Sequence, residues 1–283
     1  MDPDPEAEQA ASKLLQTTFI TVVFSACHTF QTETSPAIST IVLSLPDSVT
    51  KSEMPSLHAV KKKKKTIYLT FDDGPNKGTR KVMHIAEEEQ VPISMFIVGR
   101  HVYGSIEQAS TYDSLLQCAF IELSNHSFTH AGNEYEKFYS RPDSIVKDFM
   151  RCEDSLGLTN HIVRTPGRNI WRTKCISSTD IKNSLPAADS LQHAGFTAIG
   201  WDLEWHFDNQ LRLKNTGDEM LLEIDSLFSK MQTKTPDHLV FLAHDQVYAD
   251  VDDSVALHEF IRKLKAGDEY NLEVISKYPG IKN

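Results

Sequence analysis

From Thr66 onward the chain alternates short apolar runs with stretches of helical period, and this limits the fold more than any other feature. Residues 67–71, 93–98, 120–123, 161–164, 197–203, 239–243 and 272–275 read as strands. Helical patterns lie between them near 78–90, 106–118, 141–156, 183–194, 217–232 and 252–265. Strands separated by helices pair in parallel, because a parallel neighbour needs a crossover connection. Seven such strands predict an α/β fold, a TIM-like (β/α) barrel with about seven parallel strands, slightly short of the usual eight. In barrels of this kind the chemistry collects at the carboxyl ends of the strands.

Local signals support the division. Ser140 is placed to cap the helix at 141–156, with Pro142 in its first turn and Asp143 completing a capping-box-like pair. Met220, Leu221, Ile224, Leu227, Phe228 and Met231 fall at helical spacing and predict a core-facing stripe.

The chain has 283 residues and 40% apolar content, enough for one large domain with a buried core. Its formal charge of −10 offers no basic surplus to neutralise phosphates, so nucleic acid is not an expected partner. Lys61 to Lys65 form one local basic run, read as solvated. The four cysteines, Cys27, Cys118, Cys152 and Cys175, have no spacing of a metal knuckle or redox pair.

Residues 1–27 contain a short apolar stretch from 14 to 27, too short for a membrane span, that ends in Phe24-Ser25-Ala26-Cys27. That ending resembles a bacterial lipoprotein signal, so export and a lipid anchor through Cys27 are expected, at the periplasm or cell surface. The acidic start, with Asp2, Asp4, Glu6 and Glu8 against Lys13 alone, runs against a secretory signal. Residues 28–65, rich in Ser, Thr, Pro and Lys, read as a linker to a folded body at 66–283.

The polar residues of interest gather at strand ends. The first strand ends in Thr70-Phe71-Asp72-Asp73-Gly74-Pro75. Adjacent carboxylates repel and are costly to desolvate, so a cation is expected beside them. The third strand runs into His126-Ser127-Phe128-Thr129-His130. On a helical turn that spacing puts both imidazoles on one face. Two histidines and one carboxylate, from Asp72 or Asp73, make a common hydrolytic metal set. The other aspartate is then free to act as a base.

With Arg164-Thr165-Pro166 and Leu242-Ala243-His244 added, the motifs resemble the NodB-homology polysaccharide deacetylases, carbohydrate esterase family four. The resemblance runs in order from about residue 66 to 275 and implies a distorted (β/α) barrel, usually of seven strands. It implies that Asp73, His126 and His130 hold a divalent metal, most often zinc and in some members cobalt or manganese. It also implies that Asp72 is the general base, Arg164 its charge partner and His244 the general acid. The implied substrate is an acetylated glycan, with a backbone N–H near Gly167 binding the oxyanion.

Two motifs depart from the family. Trp201-Asp202-Leu203-Glu204-Trp205 puts Asp202 and Glu204 on one face, where the family has an aspartate that orients the catalytic histidine. Glu204 is the nearer counterpart, Asp202 the second and Asp208 the third. After Pro166, Gly167 stands where an aromatic is common in the family. Trp171, Trp205, Phe207 and Tyr135 are candidate sugar-stacking surfaces, with Pro166 and Gly167 beside them. The altered motifs also admit another expectation, a metal-containing glycan-binding lipoprotein without turnover.

Overall fold

The computed structural model describes residues 64–281. The chain divides into Met1–His58 and Ala59–Asn283, and the described residues belong to the second unit. Cys27 and the apolar stretch at 14–27 lie outside them, as does the linker up to residue 63. No helix among the described residues is long and apolar enough to cross a membrane.

In chain order the elements are β1 (Lys65–Gly74), α1 (Thr79–Glu89), β2 (Ile93–Ile97), α2 (Gly99–Val102), α3 (Ile106–Gln117) and β3 (Ile121–Asn125). Next come α4 (Tyr135–Tyr139), α5 (Pro142–Leu156), β4 (Ile162–Val163), β5 (Ile170–Arg172), β6 (Ser177–Thr179) and α6 (Leu185–His193). The last are β7 (Thr197–Ala198), β8 (Leu203–Glu204), α7 (Gly217–Ser229), β9 (His238–His244), α8 (Val251–Ala266) and β10 (Tyr270–Leu272). The strands form one curled sheet in the order β6-β5-β7-β4-β3-β2-β1-β9-β8, with β10 alongside the start of β1. All pairings are parallel except those of β5 with β6 and β7.

The expected parallel α/β architecture is therefore present. β1 is its centre, rich in β-branched and aromatic residues and buried on both faces, as a central parallel strand must be. Its alternation separates two cores. Ile67, Leu69 and Phe71 face the helices with Val82, Ile224 and Phe260. Tyr68 faces the inside of the curl with Phe96, Trp171, Val240 and Tyr278.

The expected strand at 197–203 is instead two strands on opposite sides of the sheet. β7 pairs with β4, and Ile199 N–H donates to Val163 O (2.9 Å). β8 pairs with β9, and Asp202 N–H donates to Val240 O (2.9 Å). One short run thus joins both sides of the sheet and holds its curl. The hand-over is at Gly200, where a Cβ would lie 2.0 Å from Asn169 Oδ1. No side chain fits there.

Three local expectations change. Ser140 does not cap α5; its hydroxyl donates to Lys137 O and closes α4, while Arg141 stands at the cap position without a side-chain bond. Met231 leaves the apolar stripe and is exposed, because α7 ends at Ser229 and residue 231 turns left-handed. The last strand lies at 270–272, and Ile275 begins a single 3₁₀ turn. The β5–β6 hairpin carries no clear alternation. The capping box that starts α7, Thr216 with Glu219, is present in the sequence as a signal at the expected boundary.

Trp171 and Trp205 are core residues, not sugar platforms. Trp171 is buried against Tyr278 and donates from Nε1 to Asn169 Oδ1 (2.8 Å). Trp205 is 1% exposed, edge-on to Phe260, and donates from Nε1 to Asn215 O (2.9 Å). Each indole N–H finds a partner inside the protein, which leaves no polar tip for a ligand. Trp205→Ala is expected to remove about 3–5 kcal/mol of stability, read as a lowered midpoint in guanidinium unfolding. An unchanged midpoint would contradict the core assignment.

Candidate active site

The carboxyl ends of β1, β3, β4, β8 and β9 surround a cavity of about 580 Å³. Asp72, Asp73, His126, His130, Gly167, Glu204 and His244 all line it. Asp73 is the last side chain before the Gly74-Pro75 turn and adopts φ 79°, a left-handed conformation that a non-glycine residue holds only under constraint. His101 supplies part of the constraint, since its Nδ1–H donates to Asp73 O (2.8 Å). Burial holds the His101 imidazole below its usual range.

His126 and His130 do not share a helical turn. β3 stops at Asn125, and Ser127 and His130 both have positive φ. The loop is instead pinned by side chains. Asn125 Oδ1 accepts from Ser127 N–H (2.8 Å), and Ser127 Oγ accepts from His130 N–H (3.0 Å). Asp148 Oδ2, from α5, accepts from Phe128 N–H (3.1 Å), Thr129 N–H (3.0 Å) and the Thr129 hydroxyl (3.1 Å). The two rings end 5.0 Å apart between centroids.

The donor atoms of Asp73, His126 and His130 lie within 4.8 Å of one another. Asp73 Oδ1 is 3.0 Å from His130 Nε2 and 3.4 Å from His126 Nε2. It is nonetheless buried without a hydrogen bond of acceptable geometry. An orphaned carboxylate oxygen converging with two imidazole nitrogens is what a divalent ion satisfies. His126 Nδ1–H donates to Arg164 O (2.9 Å), which fixes its tautomer and leaves Nε2 as the ligand atom. The residues therefore fit a metal. Burial opposes the charge on Asp73, but the two imidazoles outweigh it and hold the carboxyl well below the usual range. Burial likewise opposes the charge on His126, and Asp72 and Asp73 outweigh it, so this pKa is raised. Protons and a metal thus compete for the same site.

Asp72 has a separate partner. Its Oδ1 accepts from Arg164 Nη1 (2.9 Å), and its Oδ2 lies 3.6 Å from His126 Nε2. Arg164 is fully buried, and it donates also to Thr70 Oγ1 (2.7 Å), Ile199 O (3.3 Å) and Gly200 O (3.0 Å). Its guanidinium carbon sits 4.1 Å from the centroid of the Phe96 ring. A buried ion pair is tolerable when the remaining donors are satisfied, as here.

His244 is the register partner of Asp72 across β1 and β9, so its side chain opens on the same face. Its ring lies edge-on to Phe207, and its Nδ1 is buried without a hydrogen-bond partner. Glu204 lines the cavity, with Oε1 3.5 Å from His206 Nδ1. Asp202 sits one layer deeper, where its two oxygens accept from the backbone of Lys234 (2.7 Å) and Val240 (2.8 Å). Burial pushes its carboxyl up to about 6. Pro166 contributes its carbonyl to the Tyr139 hydroxyl (2.7 Å) and lies behind the cavity wall.

Further residues complete the site. Trp201, Phe207 and Tyr135 are the aromatics of the cavity. The Tyr135 ring covers Gly167, where an added Cβ would meet it at 3.0 Å. Asp245, fully buried after His244, bonds the Asn76 amide and the Thr79 hydroxyl. Burial pushes its carboxyl up to about 7. It locks the end of β9 to the loop after Asp73, and Gly78 packs on its backbone. The cue in the sequence was only an acid next to His244.

Comparison with known proteins supports the motif reading. Residues 59–174 match the family model for polysaccharide deacetylase. A putative polysaccharide deacetylase, YheN of Bacillus subtilis, is 26% identical over 51% of this chain and 48% of its own length. A chitin disaccharide deacetylase of Vibrio alginolyticus is 24% identical over 52% of this chain and 48% of its own. The chain therefore spans about half the length of these curated relatives. A family 4 carbohydrate esterase from Streptomyces lividans shares the fold, with a TM-score of 0.55 and 18% identity over 76% of this chain and 95% of that one. The resemblance carried by the motifs is shown by these findings. Asp72, Asp73, His126, His130 and Arg164 fall inside the matched segment, whereas Glu204 and His244 lie beyond it.

Asp73→Asn is expected to lose divalent metal binding, whereas Asp72→Asn keeps it; isothermal titration distinguishes them. Equal loss in both variants would refute the division of labour between the two acids. Asp148→Ala is expected to weaken metal binding by about 10–100-fold through the loosened loop. Binding should also weaken as pH falls, because His126 ligates only when deprotonated and its pKa is raised.

Proposed function

We propose that this chain is a metal-dependent hydrolase that removes acetyl groups from a polysaccharide or oligosaccharide, with N-acetyl the preferred group. The observation that carries the reading is the Asp73–His126–His130 cluster beside the separately paired Asp72–Arg164, with His244 on the adjoining strand. A binding protein has no use for a base and an acid on either side of a metal cluster. Relatives named as deacetylases support the same reaction class.

A divalent ion held by Asp73, His126 and His130, most naturally zinc for this donor set, would supply Lewis acidity toward the acetyl carbonyl and the attacking water. Asp72 takes the proton of that water. Arg164 orients Asp72, because its other hydrogen bonds go to Thr70 Oγ1, Ile199 O and Gly200 O and its guanidinium lies on Phe96. Gly167 lines the cavity, and in this reading its N–H binds developing negative charge. His244 gives a proton to the departing amine, a step that an amide needs because its nitrogen is a poor leaving group. Phe207 against the ring restricts how the imidazole turns.

One observation favours a second reading. His244 Nδ1 has no carboxylate on it, and neither Glu204 nor Asp202 is hydrogen-bonded to it. A metal-containing glycan-binding protein without turnover is the alternative. Export, and attachment to a membrane through Cys27, rest on the sequence alone.

The test is acetate release from acetylated amino-sugar oligomers by the purified protein. Release should stop on chelation, return with zinc, cobalt or manganese, and fall by about 10²–10⁴-fold in Asp72→Asn. Release that persists after chelation would refute the mechanism. Binding of many acetylated glycans with turnover of none would favour the alternative.

A further inference from the structure

Between β7 and β8 two side chains grip the main chain. Ile199 N–H and Asp202 N–H bond to the sheet, at Val163 O and Val240 O. Between those bonds, Arg164 Nε donates to Ile199 O (3.3 Å) and its Nη2 to Gly200 O (3.0 Å). Asn169 holds Trp201 by both of its main-chain groups. Trp201 N–H donates to Asn169 Oδ1 (3.2 Å), and Asn169 Nδ2 donates to Trp201 O (2.9 Å).

Only one orientation of the carboxamide fits. Its oxygen accepts from Trp171 Nε1 as well (2.8 Å), so a flipped amide would set its NH2 against two N–H donors and its oxygen against a carbonyl. Asn169 is itself anchored, because its N–H donates to Asp180 Oδ2 (2.9 Å), one residue past β6. The close approach needs the glycine at 200, where a Cβ would crowd both Asn169 Oδ1 and Trp171 Nε1.

Gly200 O and Trp201 N–H belong to one peptide unit, which is planar and turns as a whole. Arg164 holds its carbonyl end and Asn169 its N–H end. Where the carboxamide stands therefore sets where the carbonyl points. The guanidinium is also a rigid plane, so a tilt at Nη2 moves Nη1, which donates to Asp72 Oδ1 (2.9 Å). Three hydrogen bonds across two planar groups thus join Asn169 to Asp72. The hydrogen bonds of the Asn169 side chain go to Trp171 and Trp201, away from Asp73, His126 and His130.

We propose that Asn169 is a positioning residue for the hydrolysis: through the Gly200–Trp201 peptide it fixes the guanidinium of Arg164, and through that the direction of the Asp72 carboxylate. This rests on the deacetylase reading above, in which Asp72 is the base. Trp201 also lines the cavity, so a second effect has to be told apart. A clamp that served only the Trp201 ring would alter substrate binding, whereas one acting through Arg164 alters the chemical step.

The experiment has a spectroscopic and a kinetic arm, both on the zinc-loaded full chain. The NMR signal of the Arg164 Nε–H, identified by its loss in Arg164→Lys, should shift or broaden in Asn169→Ala; a signal that stays in place would overturn the proposal. With an acetylated amino-sugar oligomer, Asn169→Ala should lower kcat about tenfold, the weight of one good hydrogen bond, with KM little changed. Zinc affinity by isothermal titration should be unaltered, which also checks that the variant is folded. Asn169→Asp keeps the acceptor for Trp201 N–H and Trp171 Nε1, so it should retain most of kcat; a loss as large as that in Asn169→Ala would remove the peptide from the argument. In an Asp72→Asn background, Asn169→Ala should cost less than about twofold further, because the group it orients is no longer a base. A full tenfold loss in that background, or a change confined to KM, would overturn the assignment. If the unaltered chain hydrolyses neither the oligomer nor 4-nitrophenyl acetate while the Arg164 signal still responds to Asn169, it is the deacetylase reading that fails.

Discussion

The buried pairing of Arg164 with Asp72 is the interaction on which the rest of the site depends. A carboxylate buried at the end of β1 needs a donor beside it, because desolvating an unpaired charge is costly. An unpaired guanidinium in the same place would cost several kcal/mol in desolvation. Together they are tolerable only because Thr70, Ile199 and Gly200 take the remaining donors. Those acceptors come from β1 and from the run between β7 and β8. The charge pair and the curl of the sheet are therefore one construction. His126 joins it as well, since its Nδ1 proton rests on the carbonyl of the same Arg164.

Much of this could be read from the chain. Period and strand ends placed β1, β2, β3, β4 and β9, because runs such as Ile67–Leu69–Phe71 need burial on both faces. The motif residues Asp72, Asp73, His126, His130 and His244 were read at strand ends, and they line one cavity with Arg164 bonded to Asp72. What resisted reading depends on tertiary context. No local rule says that residues 197 to 204 will serve two separate parts of the sheet, because the alternation is the same in both. Trp171 and Trp205 look alike in sequence to Trp201, and only packing separates two core indoles from one at a cavity wall. The helical turn expected for His126 and His130 fails because Asn125 and Asp148 offer the backbone better partners than a helix would.

The two departures from the family pattern have different physical meanings. At Gly167 the missing side chain is balanced by a ring from elsewhere, since Tyr135 lies over the space. At Glu204 nothing compensates, and His244 Nδ1 keeps an open position. A wall can be rebuilt from a distant segment, because it needs only bulk. A hydrogen bond to a ring nitrogen needs an atom within a few tenths of an ångström of one place.

The hand-over at Gly200 has a consequence for how this molecule comes apart. The carbonyls that steady Arg164 belong to the seam where the sheet is stitched together, not to the strands on either side. Fraying of that seam would take two acceptors from the guanidinium, and Asp72 would lose a fixed partner. The geometry of the site would then be lost while the helices and the central strands are still intact. The seam acts as a fuse, set to go before the scaffold does.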